Sequence, residues 1–387
     1  MPKKTVCVVT GSRAEYGILY PVLKKIEAST QLELQLLVTG MHILKKYGNT
    51  VDVIKKEGIP IKKVIPMYDD DVVDETYVGK ALGNVIVKFT DALNELKPDI
   101  VLVLGDRFEP LAAVLAATTL SIPIAHIHGG DNVHQGQIDE VIRHSITKFS
   151  HIHFPVTPKS SERIKLLGEE EWRIHMVGSP SIDSIYNEKL LTKKEIFSKF
   201  EFSPSQKLVL CIQHPYLFEV ERAGEQMDLT LRVLKELKLN TVIIYPNNDP
   251  GSELIINTIE SNRSVPHFKI YKNLERIDYL SLLKNVDLLI GNSSSGLIET
   301  PIFKLPVINI GDRNRGRESA ENVINVPHNY GEIQKAVNYG LSEKFKNICL
   351  NVKNPYGDGK AAERIIRVLE DLQIDKKLLI KQLTYEV

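Results

Sequence analysis

Cysteine is scarce in this 387-residue chain, with three residues, and tryptophan scarcer, with one. Cys7, Cys211 and Cys349 are too few and too scattered for a disulfide framework or a zinc-ligand set. That directs the reading to a reducing, cytoplasmic setting. Net charge is missing as well, because Lys plus Arg and Asp plus Glu both total 49. No overall field draws the chain to nucleic acid or to an anionic membrane, so neither is expected as a partner. No apolar run is long enough to span a bilayer, and the first one breaks at Gly11-Ser12-Arg13, which argues against a signal peptide. Solenoid-spaced repeats and low-complexity tracts are also absent.

What is present is ordinary globular composition, 43% hydrophobic and 25% charged, at a length that suits two cores. Short apolar runs rich in Val, Ile and Leu alternate with amphipathic stretches. Strands are expected at residues 5–11, 32–40, 99–106, 122–130 and 151–156, with helices at 16–28, 79–96, 109–120 and 138–149. The pattern restarts at Lys207, with strands at 207–213, 241–246, 267–272, 287–291 and 306–310. Helices there are expected at 225–237, 252–262, 277–283 and 295–303. Continuous apolar runs suit parallel strands buried on both faces. The fold class is therefore α/β, with two Rossmann-like doubly wound domains. Their expected bounds are 1–180 and 181–360, with a helix in 361–387 packing back on the first.

In such sheets ligands bind beyond the carboxyl ends of the strands. Five unusual clusters fall there: Gly11-Ser12-Arg13, Gly105-Asp106-Arg107, His126 through Asp131, Gln213-His214-Pro215 and Gly291 through Gly296. The Gly291–Gly296 run follows a strand and opens a helix, as a phosphate-binding turn would, with Ser293 and Ser294 as donors and Glu299 one turn further in. A Ser-capped helix with no ligand is the plain alternative. Arg13 and Arg107 suit a diphosphate, and each is otherwise a surface Arg. Asp106 alone reads as a helix cap. Strand alternation would put His126 and His128 on one face. Asp139 and Arg143 stand four apart, the spacing of a helical ion pair. His214 could donate to a leaving phosphate. No metal or redox cofactor is implied.

At these residues the chain resembles the UDP-N-acetylglucosamine 2-epimerase family, and more closely its hydrolysing branch. The stretches that carry the resemblance are Thr10 through Tyr16, Val38-Thr39-Gly40-Met41-His42, Gly105-Asp106-Arg107, Ile138 through Lys148, Gln213-His214-Pro215, Tyr245-Pro246-Asn247, Gly291 through Glu299, and Gly316-Arg317-Glu318 with Glu321-Asn322-Val323. The resemblance implies a glycosyltransferase-B-like fold and a UDP-amino-sugar substrate. It implies expulsion of UDP to give a 2-acetamidoglucal, followed by hydration to the free 2-epimer. Asp106 and Asp139 would transfer protons, with His128, Asp131 and His214 completing the catalytic set. Arg13, Arg107, His42, Asn247, Ser293, Ser294, Glu299 and Arg317 would hold the substrate. Homodimers or homotetramers are implied too. Two departures stand out: His128 replaces a Glu of some members, and Ile18 replaces a Lys.

The favoured expectation is hydrolysing 2-epimerisation of UDP-N-acetylglucosamine to N-acetylmannosamine and UDP, with a UDP-2,4-diacetamido-trideoxy sugar as the close alternative. A non-hydrolysing epimerase, a glycosyltransferase and a non-catalytic sugar-nucleotide sensor are the other readings.

Overall fold

The computed structural model describes residues 2–44, 49–68, 77–132, 138–246 and 250–385. The chain forms two compact units, one running to Tyr186 and resuming at Tyr356, the other spanning Asn187–Pro355.

The first unit holds β1 (Lys4–Thr10), β2 (Leu32–Thr39), β3 (Ile61–Ile65), β4 (Ile100–Leu104), β5 (Ile124–Ile127) and β6 (Ile152–Phe154). They lie in the order β3-β2-β1-β4-β5-β6, every pair parallel. The second unit holds β7 (Leu208–Ile212), β8 (Asn240–Ile244), β9 (Phe268–Tyr271), β10 (Leu288–Gly291), β11 (Val307–Ile310) and β12 (Val323–Val326). Its order, β12-β11-β10-β7-β8-β9, is the same winding. The chain reverses its direction of travel across the sheet between β1 and β4 and again between β7 and β10. Crevices open at those points, at the carboxyl ends of the strands.

Alternation along the strands feeds a core on each face. In β1, Val6 and Val8 enter the cluster that contains Leu19, Leu23 and Ile26. Cys7 and Val9 enter the opposite cluster, with Phe89, Val114 and Ile146. All three cysteines are buried and unpaired. Fully burying each such Val, Leu or Ile side chain contributes about 1.5–3 kcal/mol. Among the described residues, no helix is long and apolar enough to cross a membrane.

Several elements differ from the sequence expectation. β3 escapes the periodicity because Lys62 and Lys63 interrupt it, as edge strands allow. β12 escapes because it has four residues and carries Asn325. The expected helix 295–303 breaks at Glu299 into Ser295–Ile298 and a 3-10 turn, Thr300–Phe303, because Pro301 has no amide proton to continue the ladder. Helices Tyr330–Gly340 and Glu343–Leu350 were not expected at all.

The last helix, Ala361–Asp371, packs Ala362, Ile365 and Leu369 into the first unit's core. Its first amides are capped from afar by Asp183, which accepts from Ala361 at 3.0 Å and Ala362 at 2.7 Å. The helix does not run on to Leu379. A short helix, Lys376–Leu379, begins afresh with Asp375 as its cap. This tail is gripped by Arg173, whose guanidinium is fully buried. Arg173 donates to the carbonyls of Leu378 and Ile380, each at 2.8 Å, and of Lys377 at 3.1 Å, while Glu170 balances its charge at 2.7 Å. Arg173→Ala removes all of these bonds. We expect a loss of about 3 kcal/mol in urea unfolding and faster protease cleavage after Lys376. An unchanged midpoint with unchanged cleavage would show that the grip is idle.

Candidate active site

The first unit's crevice is built at the ends of β1, β4 and β5. β4 stops at Leu104, Gly105 turns the chain, and Arg107 opens the helix Phe108–Thr119. Asp106 is therefore not the cap its position suggests. Its carboxylate instead forms an ion pair with Arg143, on the helix Ile138–Phe149. Arg143 is only 5% exposed. The same guanidinium binds Glu140 and donates to the Asp131 carbonyl at 3.1 Å. The expected pairing of Asp139 with Arg143 does not form, because Asp106 and Glu140 take the guanidinium. Asp139 has no ion-pair partner among the described residues. Partial desolvation, then the nearby Asp106 charge, push its carboxyl above the usual range, while Arg107 and Arg143 oppose the shift.

His126 and His128 do not act as a matched pair. His126 is fully buried, faces Gly105 O at 2.8 Å and Thr147 Oγ1 at 3.2 Å, and is driven down to about 3 by burial. It is a neutral structural ring. His128 lies beyond the strand at φ +65°, so alternation no longer applies. Its ring meets Asp131 at 3.4 Å.

Beside these groups lies a buried carboxyl pair that sequence reasoning missed. Glu109 is fully buried, with one oxygen 3.4 Å from Arg107 Nε and the other without a partner. Its side chain fills the space left by two glycines. A Cβ on Gly11 would lie 2.7 Å from Glu109 Cγ, and one on Gly40 would lie 2.6 Å from its carboxylate. Glu15 accepts from the Gly11 amide at 2.8 Å. Burial, then the Glu109 charge, raise its carboxyl to about 7. The Gly11 and Gly40 turns were the available signal, since each leaves room for a neighbour.

The second unit's crevice lies at the ends of β7 and β10. Gly291 has φ +133°, and a Cβ there would sit 1.9 Å from Ile212 O, so no other residue fits. Asn292 then ties the two strand ends together. It accepts from the His214 amide at 2.6 Å and donates to the His214 carbonyl at 2.9 Å. Its own carbonyl receives Asn314 at 2.9 Å and Arg313 at 3.1 Å. His214 is 7% exposed and held down to about 3 by burial and then by Arg313. Tyr279 contacts the Ser295 hydroxyl. Burial raises Glu299 to about 7, against Arg276 and Ser295, and one of its oxygens has no partner.

The other expected residues fall as follows. Arg13 is exposed at the first turn of the helix Arg13–Ala28. Ser293, Ser294 and Arg317 are half-buried. His42 is fully buried, with both ring nitrogens engaged by Thr10 at 3.0 Å and Thr50 at 2.8 Å, which leaves none for a ligand. Asn247 lies outside the described residues. Among the described residues, no cluster of three or more His, Cys, Asp or Glu side chains could hold a metal ion.

Two parallel sheets of like winding, with polar groups gathered where each reverses, define a glycosyltransferase-B-like fold. A family model, UDP-N-acetylglucosamine 2-epimerase, matches residues 24–370. The chain belongs to that family, and its relatives place it with the hydrolysing branch. It is 37% identical over 378 residues to the UDP-N,N'-diacetylbacillosamine 2-epimerase (hydrolyzing) of Legionella pneumophila, with 98% of each chain covered. It is 35% identical to the GDP/UDP-N,N'-diacetylbacillosamine 2-epimerase (hydrolyzing) of Campylobacter jejuni, over 89% of this chain and 90% of that one. The solved UDP-GlcNAc 2-epimerase of Neisseria meningitidis, bound to UDP-GlcNAc, has the same fold. Its TM-score is 0.79 at 22% identity, over 94% of this chain and 99% of that one.

Glu15 generates a prediction. Folded, it keeps its proton to about 7, against an ordinary 4.5. The folded state thus binds this proton more tightly than the unfolded chain does. That contribution to stability is complete below the ordinary value and is lost as pH rises toward and through the folded one. Glu15→Gln stays neutral and keeps an acceptor for the Gly11 amide. Urea unfolding should therefore show its stability relative to the parent rising from about pH 4.5 to about pH 7 and levelling off above that. A constant difference would place the Glu15 proton elsewhere.

Proposed function

We propose that the chain is a hydrolysing 2-epimerase of a UDP-2-acetamido sugar. The observation that carries this reading is the asymmetry of Asp106 and Asp139 about Arg143. The C2 proton has no adjacent carbonyl to acidify it, so loss of UDP must accompany its removal. The group that takes that proton must begin as a carboxylate, and the group that returns one must begin protonated. Asp106, ion-paired with Arg143, suits the first role. Asp139, which has no ion-pair partner among the described residues and whose carboxyl is shifted upward by burial and then by the Asp106 charge, is assigned the second. His128 and Asp131 complete the proton-transfer set, at the position where some family members carry Glu.

In the first step the C2–H bond breaks and its proton passes to the carboxylate. The electron pair forms C1=C2, and the C1–O bond breaks, its pair leaving on UDP. Arg107, Arg13 and His214 would meet the departing diphosphate. Ser293 and Ser294 would add hydroxyl donors, with Glu299 on ribose and Arg317 nearby. In the second step the protonated carboxyl gives its proton to C2 from the opposite face as the water oxygen bonds to C1. One water proton stays on that oxygen, the other leaves to a carboxylate, and exchange with solvent returns both carboxyl groups to their starting states. The sum is UDP-sugar plus water to free 2-epimer plus UDP, with no redox change. Of the two substrates, the diacetamido sugar is favoured by the names of the Legionella and Campylobacter relatives. UDP-N-acetylglucosamine is the other.

Incubation of the protein with each UDP-sugar in D2O, followed by NMR, tests the reaction. Expected are one deuterium at C2 of the free sugar and one UDP per turnover. A UDP-linked epimer would mean the non-hydrolysing reaction. Sugar transferred to an acceptor without deuterium would mean a glycosyltransferase, and no turnover at all a sensor. Asp106→Asn and Asp139→Asn should each lower kcat by about 100-fold or more. Retained turnover in both would overturn the acid-base assignment.

A further inference from the structure

His128 and Asp131 sit in a row of side chains whose other members, Ser179, Ser181 and Ser160, are accounted for by neither the reaction above nor the motifs. The His128 Nε2 atom is 3.1 Å from the hydroxyl of Ser179, and Nδ1 is 3.4 Å from Asp131 Oδ2. The other Asp131 oxygen accepts from Ser160 at 2.6 Å. Ser179 is in turn 2.8 Å from the hydroxyl of Ser181. All of these groups belong to the first unit. We propose that Ser179 is a positioning residue for His128: with Asp131 it fixes the imidazole with its proton on Nδ1 and joins Nε2 to the Ser181 hydroxyl.

Proton counting supports one arrangement. A carboxylate only accepts, so Asp131 requires the proton of the neutral ring on Nδ1. Nε2 is then the acceptor, and Ser179 donates to it. Ser179 has one proton, so its contact with Ser181 must be filled by the Ser181 proton. On the other side Ser160 spends its proton on Asp131, and the Thr157 hydroxyl, 2.8 Å away, donates to Ser160. Every hydroxyl in the row then points toward the His128–Asp131 pair. When Nε2 takes up a proton, only Ser179 and Ser181 need rotate. Burial alone would raise Asp131, yet its carboxyl lies below the usual range, because His128 and Ser160 donate to it and Arg143 stands near. His126 is the other titratable ring close by, and burial keeps it neutral.

The frame around this row is rigid. His128 is held at φ +65°, uncommon for a residue with a side chain, by its amide bond to Phe154 O at 3.2 Å. The Ser179 amide donates to Tyr356 O at 2.7 Å, and Gly178 is packed against the Gly357 backbone. The order Ser-His-Asp is that of a hydrolytic triad. Ser179 is only 1% exposed, however, which keeps an acyl donor from its hydroxyl. The row is built to move a proton rather than to form an ester.

The role in turnover rests on the reaction proposed above, whereas the tautomer does not, and one set of samples separates them. The full chain is labelled with 15N-histidine, and His128→Gln identifies the His128 ring signals by their loss. At about pH 7.5 the neutral ring should show a protonated Nδ1 and a bare Nε2. Ser179→Ala should move these signals toward a tautomer mixture, and Ser179→Thr should restore them. Asp131→Asn, which keeps the size of the side chain, should also release the tautomer, and serves if Ser179→Ala does not fold. With UDP-sugar, Ser179→Ala should lower kcat about tenfold at nearly constant KM, with Thr restoring it. A parent ring protonated on Nε2, or one unchanged by both substitutions, would overturn the proposal. A parent that shows the tautomer but turns over no UDP-amino sugar would overturn the reaction and leave the tautomer standing.

Discussion

The polar end of the first sheet is organised about the Arg143 guanidinium. Arg143 lies 5% exposed and yet serves three elements: Asp106 after β4, the Asp131 carbonyl after β5, and Glu140 one turn back on its own helix. A buried charge is costly unless it is paired and its donors are filled, so the guanidinium and its partners fix one another. What Arg143 leaves out matters as much. Asp139 stands on the same helix, but the guanidinium is already committed elsewhere, and the Asp106 charge then acts on Asp139 as repulsion. Of two aspartates close together, one is thereby held in an ion pair and the other is not.

The second unit reaches order by a different route. Asn292, Asn309, Asn314 and Asn325 form a row of neutral amides behind the turn that follows β10. Asn314 joins Asn292 O to Asn309 Oδ1, at 2.9 and 3.0 Å, and Asn309 reaches Asn325 at 2.8 Å. Amides fix the backbone of the His214 and Ser293 turns without bringing in net negative charge. Two cations join this row: Arg313 donates to Asn292 O, and the amide of half-buried Arg317 donates to Asn314 O. An anionic ligand at this end would meet amides and cations, whereas Asp106, Asp131 and Asp139 belong to the first unit.

How far this was legible from the sequence follows from what each signal depends on. The buried strands β1, β4, β7 and β10 appear as apolar runs because both faces are covered, and their polar endings stand out by contrast. β3 and β12 do not appear, since Lys62 and Lys63 in one and Asn325 in the other break the run at sheet edges. Helical spacing suggested Asp139 as the partner of Arg143, but spacing reports only neighbours on the same helix. Asp106 comes from another strand, and tertiary contact decided the pairing. His126 and His128 were paired by strand alternation, which ends at Ile127, one residue too soon. Glu109 was hidden by its neighbours. Its burial depends on Gly11 and Gly40, some 98 and 69 positions away in the chain, and no local pattern reports such a fit.

These features share a constraint. Carboxylates suit proton transfer at carbon but repel a departing diphosphate, and a low local dielectric strengthens both effects. The first unit limits its negative charge by burial. Glu15 is raised to about 7 beside Glu109, so the pair faces Arg107 with less than two full negative charges near neutral pH. That leaves the Arg107 guanidinium, still 40% exposed, only partly neutralised by its own unit and able to attract an anion. His128, 3.4 Å from Asp131, is an imidazole rather than a further carboxylate, so it adds no negative charge to this end of the sheet.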